Sequence, residues 1–336
     1  MPWKGEKDPY KIWLSEIILQ QTRVEQGWAY YEKFIEAFPA IRDLAKADDK
    51  KVFKMWEGLG YYTRCKNLLA AARKIVNDHK GKFPSTYEAI KALPGIGPYT
   101  AAAISSFAFN EAQAVVDGNV QRVIARYFGI STPVDTTAGK KLYQSVAQAL
   151  LDQKTPGIYN QAIMDFGAVI CKPQNPLCDQ CVQRLECEAF AHGLVKQLPV
   201  KEKSIQKKNR WFCYYIIELK DRVYIRLRTQ KDIWENLHEF VLYESDGPPE
   251  ISAANLPFIT ELIKDQHFEI NTISRIYRQA LTHQTILGQF IVINVRKAVP
   301  AMKDYLLVSK KELPQYAFPR LINTFLGDKS SSAQLF

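Results

Sequence analysis

The chain has 336 residues, 47% hydrophobic and 24% charged, which is enough for two domains with their own cores and too apolar for a disordered protein. No apolar run approaches a membrane span and the first six residues carry no signal-peptide core, so an intracellular protein is expected. A net charge of +10 favours a polyanionic partner, and six cysteines in a reducing compartment point to metal or thiol chemistry rather than disulfides.

In chain order, residues 11–24 carry Ile12, Trp13, Ile17 and Val24 at helical spacing. Glu16 falls on the same stripe, four residues after Ile12. Burial there would raise its pKa and suit it to general-acid work near neutral pH, although a single such Glu more often reaches solvent or caps a neighbour. Gln20, Gln21 and Thr22 stand at the far end of this helix. Residues 28–80 read as amphipathic helices broken at Phe38-Pro39 and at Gly58-Leu59-Gly60. Around the second break, Trp56 to Arg64 includes Tyr61 and Tyr62 beside a base, a set that can wedge between nucleobases and more often is simply core. Ser85, with Glu88 three residues on, reads as a capping box opening a further helix.

That helix leads into Leu93-Pro94-Gly95-Ile96-Gly97-Pro98-Tyr99-Thr100, followed by an Ala-rich helix over 101–107. Pro98 sits in the helix's first turn, so the N–H groups of Gly95 and Gly97 would face outward at a positive helix end and suit a phosphate. Asp117 follows in Val116-Asp117-Gly118-Asn119. A phosphate grip with a carboxylate behind it fits an enzyme working on a DNA strand; a helix–turn–helix corner with an N-cap Asp fits as well. Helices are predicted over 120–127, 142–151 and 161–170. The last ends at Cys171, which Cys178, Cys181 and Cys187 follow with six, two and five residues between them. Four soft ligands suit zinc or a cubane iron–sulfur cluster, and the lone close pair favours the cluster, with zinc the alternative. Cys65 and Cys213 read as ordinary buried thiols. Residues 195–210 are Lys-rich, contain Pro199 and lack periodicity, as a linker would. Beyond them, strands are predicted over 211–219, 223–228, 239–243 and 285–295 and a helix over 256–264, a mixed α+β domain after an all-α one.

Together these features resemble the adenine DNA glycosylases of the MutY type, within the helix-hairpin-helix glycosylase superfamily. The resemblance is carried by Trp13-Leu14-Ser15-Glu16-Ile17-Ile18-Leu19-Gln20-Gln21-Thr22, by residues 58–62, by Gly97-Pro98 with Asp117, and by the cysteine spacing. It implies an all-α N-terminal helix-hairpin-helix glycosylase domain over 1–194, holding one [4Fe–4S] cluster on the loop 171–187. A basic linker (195–210), an α+β Nudix-like lesion-recognition domain (211–327) and a tail (328–336) would follow. The implied activity is base excision repair: hydrolysis of the N-glycosidic bond of adenine opposite 8-oxoguanine or guanine, by a monomer acting on duplex DNA in the cytoplasm, nucleoid-associated or otherwise intracellular.

The same resemblance assigns roles. Glu16 would protonate adenine, and Asp117 would face the cationic sugar. Tyr99 stands where bifunctional relatives carry a lysine, which implies hydrolysis without β-elimination, and Tyr99 and Asn119 would position sugar and water. Gln21 and Tyr61 would enter the base stack, Gly95 and Gly97 would hold the strand, and Trp3, Lys4 and Gln161 resemble adenine-pocket contacts. Leu281-Thr282-His283 aligns with a reading loop that is commonly Phe-Ser-His; Thr282 keeps a hydroxyl for 8-oxoguanine, while Leu281 loses the aromatic. The second domain lacks the carboxylate-rich helix of a Nudix hydrolase, so recognition is expected of it. Two rival readings share many of these features: an endonuclease III-like glycosylase/lyase for oxidised pyrimidines, and a non-catalytic iron–sulfur DNA-binding redox sensor. Tyr99 and the second domain argue against the first, and a buried Glu16 against the second.

Overall fold

The computed structural model describes residues 5–202, 207–248, 256–264 and 267–328; Trp3, Lys4 and all but the first residue of the predicted tail lie outside the described residues. The helices in chain order are α1 (Pro9–Leu19), α2 (Val24–Ala37), α3 (Ile41–Lys46), α4 (Asp49–Trp56), α5 (Thr63–Asp78), α6 (Tyr87–Lys91), α7 (Pro98–Phe109), α8 (Gly118–Tyr127), α9 (Thr137–Leu150), α10 (Pro156–Val169) and α11 (Glu188–Ala191). Strands β1 (Lys208–Leu219), β2 (Arg222–Leu227), β3 (His238–Glu239) and β4 (Val241–Ser245) follow, then α12 (Leu256–Ile263), β5 (Phe268–Ile273), β6 (Tyr277–Ala280), β7 (Gln284–Val295), β8 (Leu306–Ser309) and α13 (Arg320–Leu326). Among the described residues no helix is long and apolar enough to cross a membrane.

The chain divides into two compact units, Met1–Ala47 with Lys66–Ser204, and Asp48–Cys65 with Ile205–Phe336. In the first, α1 is buried on nearly all sides through Tyr10, Ile12, Trp13, Leu14, Ile17 and Ile18. Its start is set by Asp8, whose carboxylate accepts from Tyr10 N at 2.9 Å, with Pro9 in the first turn. The apolar stripe predicts one helix over 11–24, but α1 stops at Leu19 and Gln21 takes φ +56°. Val24 opens α2 instead of continuing the stripe, a break that periodicity alone could not see.

The hairpin joins α6 to α7 through Leu93 and Ile96, both buried, while Gly95 and Gly97 are exposed. Gly95 sits at φ +72°, and a Cβ there would lie 2.4 Å from Asn67 Cβ, so the turn requires glycine twice over. The predicted Ser85–Glu88 capping box is replaced. Thr86 is the N-cap and makes no side-chain bond; the carboxylate of Glu111 accepts from Tyr87 N at 2.6 Å instead. From there the chain runs to Asp117 without regular secondary structure, part of its backbone satisfied by side chains: Gln148 Oε1 accepts from Ala114 N (2.9 Å), and buried Asn160 Oδ1 accepts from Val115 N (3.0 Å).

The predicted linker is structured at both ends. Val195, Leu198 and Val200 pack on the core of the first unit, and Val200 O accepts from Val134 N at 3.0 Å. Its last residues, 208–210, already belong to β1. In the second unit the sheet runs β3-β2-β1-β7-β5, with β4 also on β1, β6 on β7 and β8 on β2. β1 and β7 pair in parallel from Lys208↔Gln284 to Glu218↔Asn294. Residues 212–217 are all buried because both faces are covered. Cys213, Tyr215 and Ile217 share a cluster with Ile259 and Ile263 of α12, whereas Tyr214 stacks on Phe290 (5.3 Å), which stacks on Phe325 of α13 (4.1 Å). Strands β5, β6 and β8 were not predicted; β5 has Glu269 and Asn271 among its exposed positions and β6 has Arg278, which dilutes the strand pattern. Residues 48–65 belong to this second unit because Lys54 Nζ donates to Tyr316 O (2.9 Å) and Glu57 Oε1 accepts from Phe318 N (2.8 Å). Glu111→Ala should remove the cap of α6 and lower stability by about 1 kcal/mol, measured by urea denaturation.

Candidate active site

Three elements of the first unit bring together the two predicted acids. Glu16 projects from α1, Tyr99 from the first turn of α7, and Asp117 is the N-cap of α8. The Tyr99 hydroxyl donates to the Glu16 carboxyl, and Asp117 lies close enough for its charge to act on both. Glu16 lines a cavity of about 330 Å³ with Ser15, Phe107, Gln161, Met164 and Asp165. It is partly exposed within that cavity, yet burial from bulk water pushes its pKa up to about 7; the bond from Tyr99 pulls it down and the charge of Asp117 adds to the rise. Burial, then the charges of Glu16 and Asp117, hold the Tyr99 phenol well above its ordinary value, so it stays a donor.

Asp117 is fixed by three donors. Its Oδ1 accepts from Asn119 N and Val120 N, both at 2.8 Å, and its Oδ2 from Asn119 Nδ2 at 2.7 Å. Asn119 is held in turn by Arg122, whose Nη2 donates to Asn119 Oδ1 (2.8 Å) and to Gly167 O (2.6 Å), while its Nε donates to Cys171 O (2.7 Å). α10 can come this near only because residue 167 is glycine: a Cβ there would meet Asn119 Cβ at 2.7 Å. One turn further along α8, buried Arg126 donates to Lys172 O (2.8 Å), Pro173 O (3.3 Å) and Cys171 Sγ (3.4 Å). Cys171, Cys178, Cys181 and Cys187 all line one cavity with Arg126. No three His, Cys, Asp or Glu side chains among the described residues converge closely enough to hold a single metal ion. The thiol of Cys178 is pushed up, by burial first and then by the other three cysteines.

The remaining predicted residues lie on turns. Gln21 is exposed at φ +56°, in the left-handed region that favours glycine. Tyr61 is likewise exposed at φ +47°. Its loop is built rather than loose: Trp56 Nε1 donates to Gly60 O (3.1 Å), Arg64 Nη2 donates to Leu59 O and Gly60 O, and the Arg64 guanidinium lies over the rings of Trp56 and Tyr61. Leu281, Thr282 and His283 form the β6–β7 turn, closed by Leu281 N donating to Gln284 O at 2.8 Å. The hydroxyls of Thr282 and Tyr61, both in the second unit, are hydrogen-bonded to each other. Sequence reading missed Arg122, Arg126 and Asp165. The first two are spaced four apart among Val120, Ile124 and Ala125 of a buried face, which is the signal that could have found them.

A buried acid, a cavity beside it, and a second carboxylate behind a helix–hairpin–helix define a fold that works on DNA bases. The family model for the HhH-GPD superfamily of base excision DNA repair proteins matches residues 14–148. The adenine DNA glycosylase of Buchnera aphidicola subsp. Baizongia pistaciae is 36% identical over 243 residues, spanning 71% of this chain and 68% of the relative. That of Homo sapiens is 41% identical over 198 residues, 56% of this chain and 36% of the relative. A solved structure of a thermostable thymine-DNA glycosylase, 33% identical, superposes with a TM-score of 0.53 over 57% of this chain and 88% of that one. The chain belongs to the adenine DNA glycosylase family.

Glu16 must gain a proton to fold wherever the pH lies between the ordinary carboxyl value of 4.5 and about 7, so it costs stability as pH rises through that window. Glu16→Gln should therefore gain in Tm over the parent protein as the pH goes from 5 to 8. Thermal melts across that range check this, and a constant offset would contradict it.

Proposed function

We propose that this chain hydrolyses the N-glycosidic bond of adenine in duplex DNA, acting where adenine is mispaired with 8-oxoguanine or guanine. What carries this reading is a carboxyl with pKa about 7 on the wall of a cavity roomy enough for a purine, bridged by Tyr99 toward a second carboxylate. A base flipped out of the stack would enter that cavity. Glu16 gives its proton to adenine N7; the C1′–N9 bond breaks with its electron pair on the base; and the developing sugar cation faces Asp117 as an anion. Water, positioned by Tyr99 and Asn119, then adds to C1′ and gives its proton to the Glu16 carboxylate, which restores the acid. A phenol forms no Schiff base, so the strand is left uncut.

Gly95 and Gly97, exposed at the start of α7, would hold the phosphate of the flipped nucleotide. Gln21 and Tyr61 would enter the stack, and their exposed, strained backbones are what a rigid wedge requires. The second unit is read as a Nudix-like recognition domain in which Thr282 and His283 meet the base opposite. Gln161 would contact adenine from the cavity wall.

The four cysteines fit one [4Fe–4S] cluster better than one zinc ion. All four line one cavity with Arg126, and only Cys178 and Cys181 form a close pair in sequence where zinc ribbons have two. When bound, the cluster supplies the positive charge that keeps four thiolates together.

The protein incubated with duplexes holding A opposite 8-oxoguanine, A opposite G, or thymine glycol should release adenine from the first two and nick only after alkali. Nicking of thymine glycol without alkali would point to the lyase reading, and retention of every duplex without release to the binding protein. Asp117→Asn should abolish release while duplex binding survives. Anaerobically purified protein should carry about four irons per chain by elemental analysis; zinc without iron would reject the cluster.

A further inference from the structure

Besides Glu16, the cavity is lined by two carboxylates that the reaction does not use, Glu6 and Asp165. Asp165 lies one turn beyond Gln161 on α10, and both line the wall that Glu16 shares. Gln161 Nε2 donates to Asp165 Oδ1 at 3.0 Å. An ionised carboxylate only accepts, so of the two ends of the Gln161 amide only the nitrogen can face it. Turning the amide over would press its carbonyl oxygen against the Asp165 oxygens, two acceptors with no proton between them. The pair is therefore a lock on an otherwise ambivalent side chain.

We propose that Asp165 is a positioning residue for base specificity: by holding Nε2, it keeps Gln161 Oε1 as a fixed acceptor for a purine's C6 substituent. Adenine carries an amine at C6, which donates. Hypoxanthine and guanine carry an oxygen there, which accepts and would be left against Oε1 without a proton. With Glu16 donating to N7, a locked Oε1 completes a donor–acceptor pair that only a 6-aminopurine matches. A free amide would match either purine by turning over. The inference rests on the adenine-hydrolysing reading, and it adds which residue makes the pocket choose an amine over a carbonyl.

The test compares single-turnover excision of adenine and of hypoxanthine, each placed opposite 8-oxoguanine, in four proteins: the parent, Asp165→Asn, Gln161→Leu and the double variant. The ratio of the two rates within one preparation is insensitive to the fraction folded. The parent should prefer adenine, and Asp165→Asn should shrink that preference about tenfold, the weight of one hydrogen bond, mainly by speeding hypoxanthine relative to adenine. In the Gln161→Leu background, Asp165→Asn should not change the ratio further, because the lock has nothing left to hold. An unchanged ratio in Asp165→Asn would overturn the proposal. So would an equal drop with Gln161 already removed, which would make Asp165 a direct contact of the base. If the parent releases no adenine at all, it is the adenine reading itself that fails, and the proposal falls with it.

Discussion

The arrangement depends on how one buried guanidinium is satisfied. Arg122 sits in the middle of α8, held by Asn119 Oδ1 and by the carbonyls of Gly118, Gly167 and Cys171. A charge that deep is tolerable only if its donors are matched, so α8, the end of α10 and the start of the cysteine loop must meet at one point. That meeting fixes Asn119, and Asn119 fixes Asp117. The glycine at 167 is what lets the two helices come close enough for the match. Arg126 repeats the device one turn along, against the carbonyls of Lys172, Pro173 and Leu198.

The acid at Glu16 obeys a different constraint. Its environment disfavours the ionised form, which is unhelpful for folding above neutral pH and useful for proton donation. Tyr99 moderates this by donating to the carboxyl, and its own buried hydroxyl thereby finds a partner. One hydrogen bond thus satisfies a buried phenol, tunes an acid and spans toward Asp117.

Much of the helical unit was legible in the sequence because its signals are local. Pro98 after Gly97 marks the start of α7, Asp117 before Gly118 marks that of α8, and the stripe on α1 placed Glu16 inward. What stayed illegible depends on distant partners. Nothing near residue 85 reveals that Glu111 will cap α6, and nothing in the Lys-rich stretch after 194 reveals that Val200 will bond Val134. The spacing of Arg122 and Arg126 among Val120, Ile124 and Ala125 hints at burial, but it cannot say which distant carbonyls will receive two guanidinium groups. The Gln161–Asp165 pair is visible as an i,i+4 spacing, but spacing cannot say that both line a cavity.

The assignment of α4 and the Tyr61 loop to the C-terminal unit has a consequence for modularity. Lys54 and Glu57 find their backbone partners at Tyr316 and Phe318, more than 250 residues away in sequence. A cut at the basic stretch would therefore strip Lys54 and Glu57 of these partners while leaving the first unit's own residues in place. The borrowing runs one way: the second unit takes in Asp48–Cys65 from within the N-terminal half, so any change to Tyr316 or Phe318 is felt by a segment far upstream.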